Sequence, residues 1–311
     1  MGKATIVDVK NLCKSFNGKK VLNNLNFSVC KGELFVIVGP DGAGKTTLLR
    51  ILSSIYQPSS GSVNFLFERM NLIKELQTKR EKIGYMPQKF SLYDDLTVME
   101  NLEFFSDMFL IEKYEIRKRI ERLLRFSQLK EFSNRAAGKL SGGMQKKLAL
   151  SCSLLHEPEI LLLDEPTNGV DPISRAELWN FLYSLLDRKK TIILTTSYME
   201  EAEKATHVGF LMKGSMELIG KPEHLKSCLS NAVFAYTGDF AEYIRKKVNL
   251  ELGFSYFVGP RLRIVLKNAD SGNELNKLVE SKEGSFKLER ETVVFEDIYL
   301  AYTKGMLNAG N

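Results

Sequence analysis

The segment Gly39-Pro40-Asp41-Gly42-Ala43-Gly44-Lys45-Thr46-Thr47 constrains this chain more than any other, because of what stands on either side of it. Leu34-Phe35-Val36-Ile37-Val38 before it is apolar at every position, as in a strand buried on both faces. Leu48-Leu49-Arg50-Ile51-Leu52 after it continues as a helix. Strand, glycine-rich turn and helix are the setting in which G-x-x-x-x-G-K-[ST] cradles phosphate. Gly42 and Gly44 let successive N–H groups converge on phosphate oxygens, and the helix that follows directs its positive end at them. Lys45 is expected to reach the β- and γ-phosphates, Thr46 to place its hydroxyl on Mg²⁺, and Thr47 to touch the α-phosphate.

A second strand carries acids. Ile160-Leu161-Leu162-Leu163 also reads as buried on both faces, and Asp164-Glu165 closes it. Open parallel sheets bind ligands at the carboxyl ends of their strands, where this pair falls. Asp164 is expected to hold Mg²⁺, directly or through water, and Glu165 to stand where a water attacks the γ-phosphate. Two acids after a strand also suit a helix N-cap, but behind a phosphate loop the catalytic reading prevails. Upstream, Leu140-Ser141-Gly142-Gly143 opens a helix with a glycine pair and offers another backbone grip on nucleotide.

With 311 residues, 44% of them hydrophobic, the chain can bury a large core and is expected to divide in two. No apolar stretch approaches the roughly eighteen residues that span a bilayer. Nothing at the N-terminus resembles a signal peptide, and Gly2 lacks the Ser or Thr at position 6 that myristoylation favours, so a cytosolic chain is expected. Cys13, Cys30, Cys152 and Cys228 lack metal-ligand spacing, and His156, His207 and His224 form no ligand pair. Arg117, Lys118, Arg119, Arg122 and Arg125 alternate with acids and apolar residues, so a solvated helix face outweighs a nucleic-acid patch.

Changes of period give the organisation. Residues 4 to 30 alternate like strands around a turn at Asn17-Gly18, and Ile83 to Pro87 is a short strand. From about Thr97 to Arg135 the pattern is helical, with Val98, Leu102, Phe105 and Phe109 spaced for one apolar face. A helix from Asp171-Pro172 to about Leu186 leads to a buried strand, Thr191 to Thr195. The last ninety or so residues read as strand Ala232–Tyr236, helix Phe240–Leu250, a hairpin around Gly259-Pro260, helix Glu274–Ser281 and strand Phe286–Arg290. That β-α-β-β-α-β order matches the split ferredoxin-like unit, and its lack of convergent polar motifs suits regulation, dimerisation or docking.

GPDGAGKTT at 39–47, Pro87-Gln88, LSGGM at 140–144 and LLLDEPTNGVDP at 161–172, in that order, resemble the ATP-binding subunit of an ABC transporter over about residues 5 to 225. The tail ERETVVFEDIYLAYTKG resembles the domain appended to exporter ATPases of the drug-resistance-like group, which work with small ABC-2-type membrane subunits. The resemblance implies an α/β P-loop NTPase fold of ABC type, with an antiparallel β subdomain and a helical insert at about 89–140. Residues 1–225 would be the nucleotide-binding domain and 226–311 a C-terminal α+β ferredoxin-like domain. ATP and Mg²⁺ are the implied cofactors. Phe16 falls where the family stacks an aromatic ring on adenine, and Gln88 where a glutamine touches Mg²⁺ or the attacking water. Ser141, Gly142 and Gly143 match the signature that contacts the γ-phosphate held by the opposite subunit, and Asp171 the aspartate that crosses the dimer interface. The implied partners are a second ABC ATPase, either another copy or a paralogue, and integral membrane permease subunits of ABC-2 type, with no nucleic acid. The implied place is peripheral, on the cytoplasmic face of the membrane. Two residues depart from the family pattern: Met144 replaces a common glutamine, and Ser197 replaces the histidine that bonds near the γ-phosphate. Slow hydrolysis is therefore expected, as is the alternative of a nucleotide-gated subunit paired with a more active relative.

Overall fold

The computed structural model describes residues 4–67, 81–89, 92–109, 112–229, 233–268, 271–281 and 286–307. Packing divides the chain into one unit of Met1–Glu201 with Ala205–Ile219 and another of Ala202–Lys204 with Gly220–Asn311.

In the first unit the strands are β1 (Thr5–Phe16), β2 (Lys19–Cys30), β3 (Leu34–Val38), β4 (Ser60–Phe65), β5 (Ile83–Met86), β6 (Ile160–Asp164), β7 (Thr191–Thr196), β8 (His207–Met212) and β9 (Ser215–Gly220). Its α-helices are α1 (Lys45–Leu52), α2 (Val98–Met108), α3 (Lys113–Phe126), α4 (Gly142–Leu154) and α5 (Pro172–Asp187). β1 turns into β2 through Asn17 and Gly18, both at positive φ as a tight hairpin requires, and the antiparallel sheet runs β2-β1-β4. The larger sheet runs β5-β6-β7-β3-β8-β9, and β5 through β8 pair in parallel.

The apolar runs of β3, β6 and β7 are buried at every position, and alternation sends their side chains to opposite faces. Leu34, Val36, Leu161, Leu163, Ile192 and Leu194 join the core shared with α2, α3, α4 and α5. Phe35, Ile37, Ile160, Leu162 and Ile193 join the core shared with α1 and the antiparallel sheet. The register sets Val38 beside Thr196 and Asp164 beside Thr195, so the three strands end together.

The expected apolar face of the insert holds at Val98 and Leu102, which are fully buried, and at Phe105, which packs against the same core. Phe109 departs from it. The helix stops at Met108, and Phe109 turns out to stack on His156 with ring centroids 4.1 Å apart. Three of the basic residues of α3 are ion-paired, Arg119 with Glu115, Arg122 with Glu157 and Arg125 with Glu121; Arg122 and Arg125 are exposed, and Arg119 is partly so.

The second unit holds α6 (Pro222–Ser227), β10 (Val233–Gly238), α7 (Ala241–Lys247), β11 (Gly253–Val258), β12 (Arg261–Leu266), α8 (Ser271–Glu280), β13 (Phe286–Arg290) and α9 (Phe295–Thr303). Its sheet runs β11-β12-β10-β13 with every pair antiparallel. The expected start of β10 at Ala232 lies outside the described residues. The helix expected to reach Leu250 ends at Lys247 and widens into a π-turn over Val248–Leu252. Ile244, Val248 and Leu252 are all buried at four-residue spacing, which drifts around a regular α-helix; the wider turn returns Leu252 to the core. No described helix is long and apolar enough to cross a membrane.

Candidate functional site

The carboxyl ends of β3, β6 and β7 open on a cavity of about 620 Å³ lined by Val21, Asp41, Gly42, Gly44, Lys45, Thr46, Thr47, Gln88, Glu165, Asn168, Ser197 and Tyr198. Gly44 starts α1 at φ 108°, where a Cβ would also press on Leu22 at 2.7 Å, so the loop closes on itself only with glycine there. That closure turns the Lys45 side chain inward. Its Nζ donates to Gly39 O at 2.8 Å and Pro40 O at 3.2 Å, and lies 3.1 Å from Glu165 Oε1. Asp41 is more distant, at 3.8 Å, and solvent-exposed, while Ala43 is buried.

Glu165 occupies the left-handed region at φ 47°, a conformation a non-glycine residue keeps only where its surroundings impose it. The restraints are visible. Its N–H bonds Thr195 O at 3.1 Å and Thr195 Oγ1 at 3.2 Å, while its Oε2 accepts from Gln88 Nε2 at 2.9 Å and Asn168 Nδ2 at 3.1 Å. The Thr195 hydroxyl spends its proton on Asp164 Oδ1 at 2.7 Å. Asp164 Oδ2 is buried and accepts no hydrogen bond among the described residues. An orphaned carboxylate oxygen is costly unless something binds it. Thr46 lines the cavity while Asp164 is not part of its lining; the hydroxyl of the one and the carboxylate of the other are oxygen donors of the kind a hard dication such as Mg²⁺ takes. No group of three or more His, Cys, Asp or Glu side chains able to hold a metal occurs among the described residues. Neither acid caps a helix, since Asp171 does that for α5, accepting from Ile173 N at 3.1 Å and Ser174 N at 3.0 Å. Those bonds hold the Asp171 carboxyl below its ordinary pKa.

Lys45, Thr46, Thr47, Gln88, Glu165 and Ser197 thus share one cavity, with Gly39 and Pro40 bonded to it through Lys45. Others lie away from its lining. Phe16 is exposed, edge-on to Tyr56 with ring centroids 5.5 Å apart and with Lys14 Nζ 4.8 Å from its own centroid. Ser141 caps its own α4, its Oγ accepting from Met144 N at 3.3 Å. Gly143 lies so close to α5 that a Cβ would stand 2.4 Å from Ser174 Cβ. Gly142 borders a different groove with Gln88, Lys89 and Lys146. Within one chain, then, the second glycine pair does not complete the phosphate loop's cavity.

Sequence reasoning missed Asn168, Thr195, Thr196 and Lys146. Lys146 Nζ donates to Gln88 O at 3.0 Å, linking α4 to the segment that holds Glu165. Burial lowers the pKa of this ammonium, while the nearby charges of Asp164 and Glu165 oppose the change. Two hydroxyl residues at the end of the apolar strand β7 were the available signal for Thr195 and Thr196.

Comparison with known proteins adds a lineage to this geometry. The family profile for ABC transporters matches residues 22–168. The probable multidrug ABC transporter ATP-binding protein YbhF of Escherichia coli K12 is 36% identical over 301 residues, which is 95% of this chain and 51% of that protein. The chain therefore spans about half the length of this relative. The Nod factor export ATP-binding protein I of Ralstonia nicotianae is 38% identical over 226 residues, covering 72% of this chain and 70% of that protein. Among solved structures, a dimeric bacterial ABC transporter cassette superposes with a TM-score of 0.61 at 29% identity, over 70% of this chain and 98% of the cassette.

Proposed function

This chain belongs to the ATP-binding family of ABC transporters, and from that premise we propose that two such cassettes close around ATP, hydrolyse it slowly, and drive export through separate membrane subunits. The observation that carries the reading is the cavity at the strand ends, lined by Lys45, Thr46, Gln88 and Glu165, with the buried orphaned oxygen of Asp164 on the residue just before Glu165. In this reading Lys45 lies along the β- and γ-phosphates and Thr47 touches the α-phosphate, while Phe16 stacks on adenine. Thr46, Asp164 and Gln88 are the residues that would hold Mg²⁺, which when bound would offset the charge that develops on the phosphoryl oxygens. Glu165 takes the proton of the attacking water, a general-base contribution of about 10² to 10⁴ in rate. Ser141, Gly142 and Gly143 of one cassette complete the γ-phosphate site of the other, and Asp171 crosses between them. The dimeric state of the solved cassette supports that arrangement.

Export is favoured by the names of the relatives, a multidrug transporter and a Nod factor exporter, and ABC-2-type permease subunits by the likeness of the tail. The cassette then works at the cytoplasmic face of the membrane, with residues 1–225 as its nucleotide-binding domain. The antiparallel order β11-β12-β10-β13, with α7 after β10 and α8 after β12, supports a ferredoxin-like reading of residues 226–311. Ser197 favours a second reading, a nucleotide-gated subunit that closes on ATP beside a more active paralogue. Losing one contact that forms in the transition state typically costs about 10² to 10³ in rate. Steady-state ATP turnover of Glu165→Gln tests the site: the variant should be inactive, and turnover equal to wild type would remove Glu165 from the chemistry.

A further inference from the structure

Glu200-Glu201 reads as a surface run of acids, yet the Glu201 carboxylate is fully buried. Its Oε2 accepts from Thr196 Oγ1 at 2.7 Å and from Thr167 Oγ1 at 3.0 Å, and its Oε1 accepts from Trp179 Nε1 at 3.2 Å. Thr196 has the parity of Ile192 and Leu194, so it projects on the α5 face of the sheet, opposite to Thr195 and Asp164. The Thr196 hydroxyl also accepts from Tyr198 N at 3.0 Å, which commits its proton to Glu201. One carboxylate therefore fastens three segments: the end of β7 that leads into Ser197 and Tyr198, the Glu165–Asp171 segment through Thr167, and helix α5 through Trp179. Ser197, Tyr198, Glu165 and Asn168 on the first two segments all line the cavity.

An ionised carboxylate only accepts hydrogen bonds, so it fixes the direction of both threonine hydroxyls. Glutamine of the same shape cannot do so. Its amide N–H would face either the Trp179 N–H or the pair of hydroxyls, one of which already accepts from Tyr198.

We propose that Glu201 is a positioning residue for hydrolysis, holding Ser197 and the Glu165–Asp171 segment in fixed relation so that the groups around the γ-phosphate close together. The inference rests on the site reading above. The test compares full-length Glu201→Gln, Thr167→Val and Leu182→Ala with wild type, by melting temperature, ATP affinity without Mg²⁺, kcat and KM. Leu182 is a buried core residue of α5 and serves as the stability control. Glu201→Gln and Thr167→Val should lower kcat by about 10- to 100-fold, the scale of a 1 Å misplacement. Their ATP affinity should change far less than kcat, because Lys45 and its loop are untouched and Glu165 keeps its charge. Leu182→Ala should lower the melting temperature and keep kcat. Wild-type kcat in Glu201→Gln, or in Thr167→Val should Glu201→Gln not fold, overturns the proposal, as does a kcat loss that follows melting temperature across all three variants. Glu165→Gln run alongside separates the two claims: full turnover there removes the site reading, whereas loss there with full activity in Glu201→Gln and Thr167→Val removes only the role of Glu201.

Discussion

Glu165→Gln should tighten nucleotide binding as well as stop turnover, because Glu165 is the counter-ion of Lys45, the side chain that is to face phosphate. The two charges are 3.1 Å apart with both side chains almost wholly buried. At an effective dielectric of about 20, that distance corresponds to a gross attraction of about 5 kcal/mol. Desolvation offsets much of it, and Lys45 keeps the Gly39 and Pro40 carbonyls, so the net loss on removing the carboxylate is taken as about 2 kcal/mol, below the 3 to 5 found where a buried charge is left bare. When ATP binds, phosphate replaces the carboxylate beside Lys45, and the Glu165 charge then repels the γ-phosphate. Both effects have the same sign. Stabilisation lost from the free state alone returns as affinity, about 30-fold for 2 kcal/mol. Titrating dilute protein with ATP in the absence of Mg²⁺, by calorimetry or a fluorescent analogue, isolates this step from hydrolysis. The nucleotide-free variant should also unfold at lower urea. An unchanged or weaker Kd would refute the ion-pair reasoning.

Ser197→His should raise kcat by up to about 10²-fold with little change in KM, read from steady-state ATPase assays with and without membrane subunits. If the wild type already turns over as fast as the variant, the weakened-site idea fails. In the second unit, Arg263 grips Asp297 through Nε and Nη2, each 2.7 Å from a carboxylate oxygen, and Tyr256 OH adds a bond at 2.8 Å. Arg263 also pairs through Nη1 with Glu291 and donates through Nη2 to the Thr292 carbonyl, so Asp297→Asn leaves the buried guanidinium partly compensated and should cost about 1 to 3 kcal/mol in urea denaturation. Among the thiols, the Asn24 N–H lowers the pKa of Cys13, with help from Ser60, whereas burial raises that of Cys152. Because the thiolate is the reactive form, iodoacetamide labelling followed by mass spectrometry should modify Cys13 at lower pH than an ordinary thiol. Cys152 should stay unlabelled until the chain unfolds, and early labelling there would contradict its burial.

The phosphate loop, β6 and β7 were legible because strands covered on both faces leave no polar alternation, and the residues that follow them mark where ligand chemistry starts. Asp164 and Glu165 could be placed for the same reason. What could not be read depends on what folds over a residue. Glu201 has the local sequence of a surface acid, and only the approach of Thr167, Thr196 and Trp179 makes it a buried acceptor. Lys146 follows the glycine pair like any helix-surface lysine until the Gln88 segment comes within 3.0 Å of it. Phe109 fits the helical period of Val98 and Leu102, but the period cannot show that the helix ends one residue before it. The π-turn after Lys247 was hidden by a spacing that a regular helix tolerates for one turn but not two. Ser141 carries a strong signal, but its local sequence does not say which chain's phosphate it would face; in its own chain Ser141 caps α4.

The central claim, that ATP is held between two cassettes, is tested most directly by light scattering on hydrolysis-deficient Glu165→Gln with and without ATP. The account predicts a particle of one chain without nucleotide and of two chains with it, reverting when Ser141 is also replaced by arginine. A particle that remains a single chain at saturating ATP, with Lys45-dependent binding intact, would contradict it.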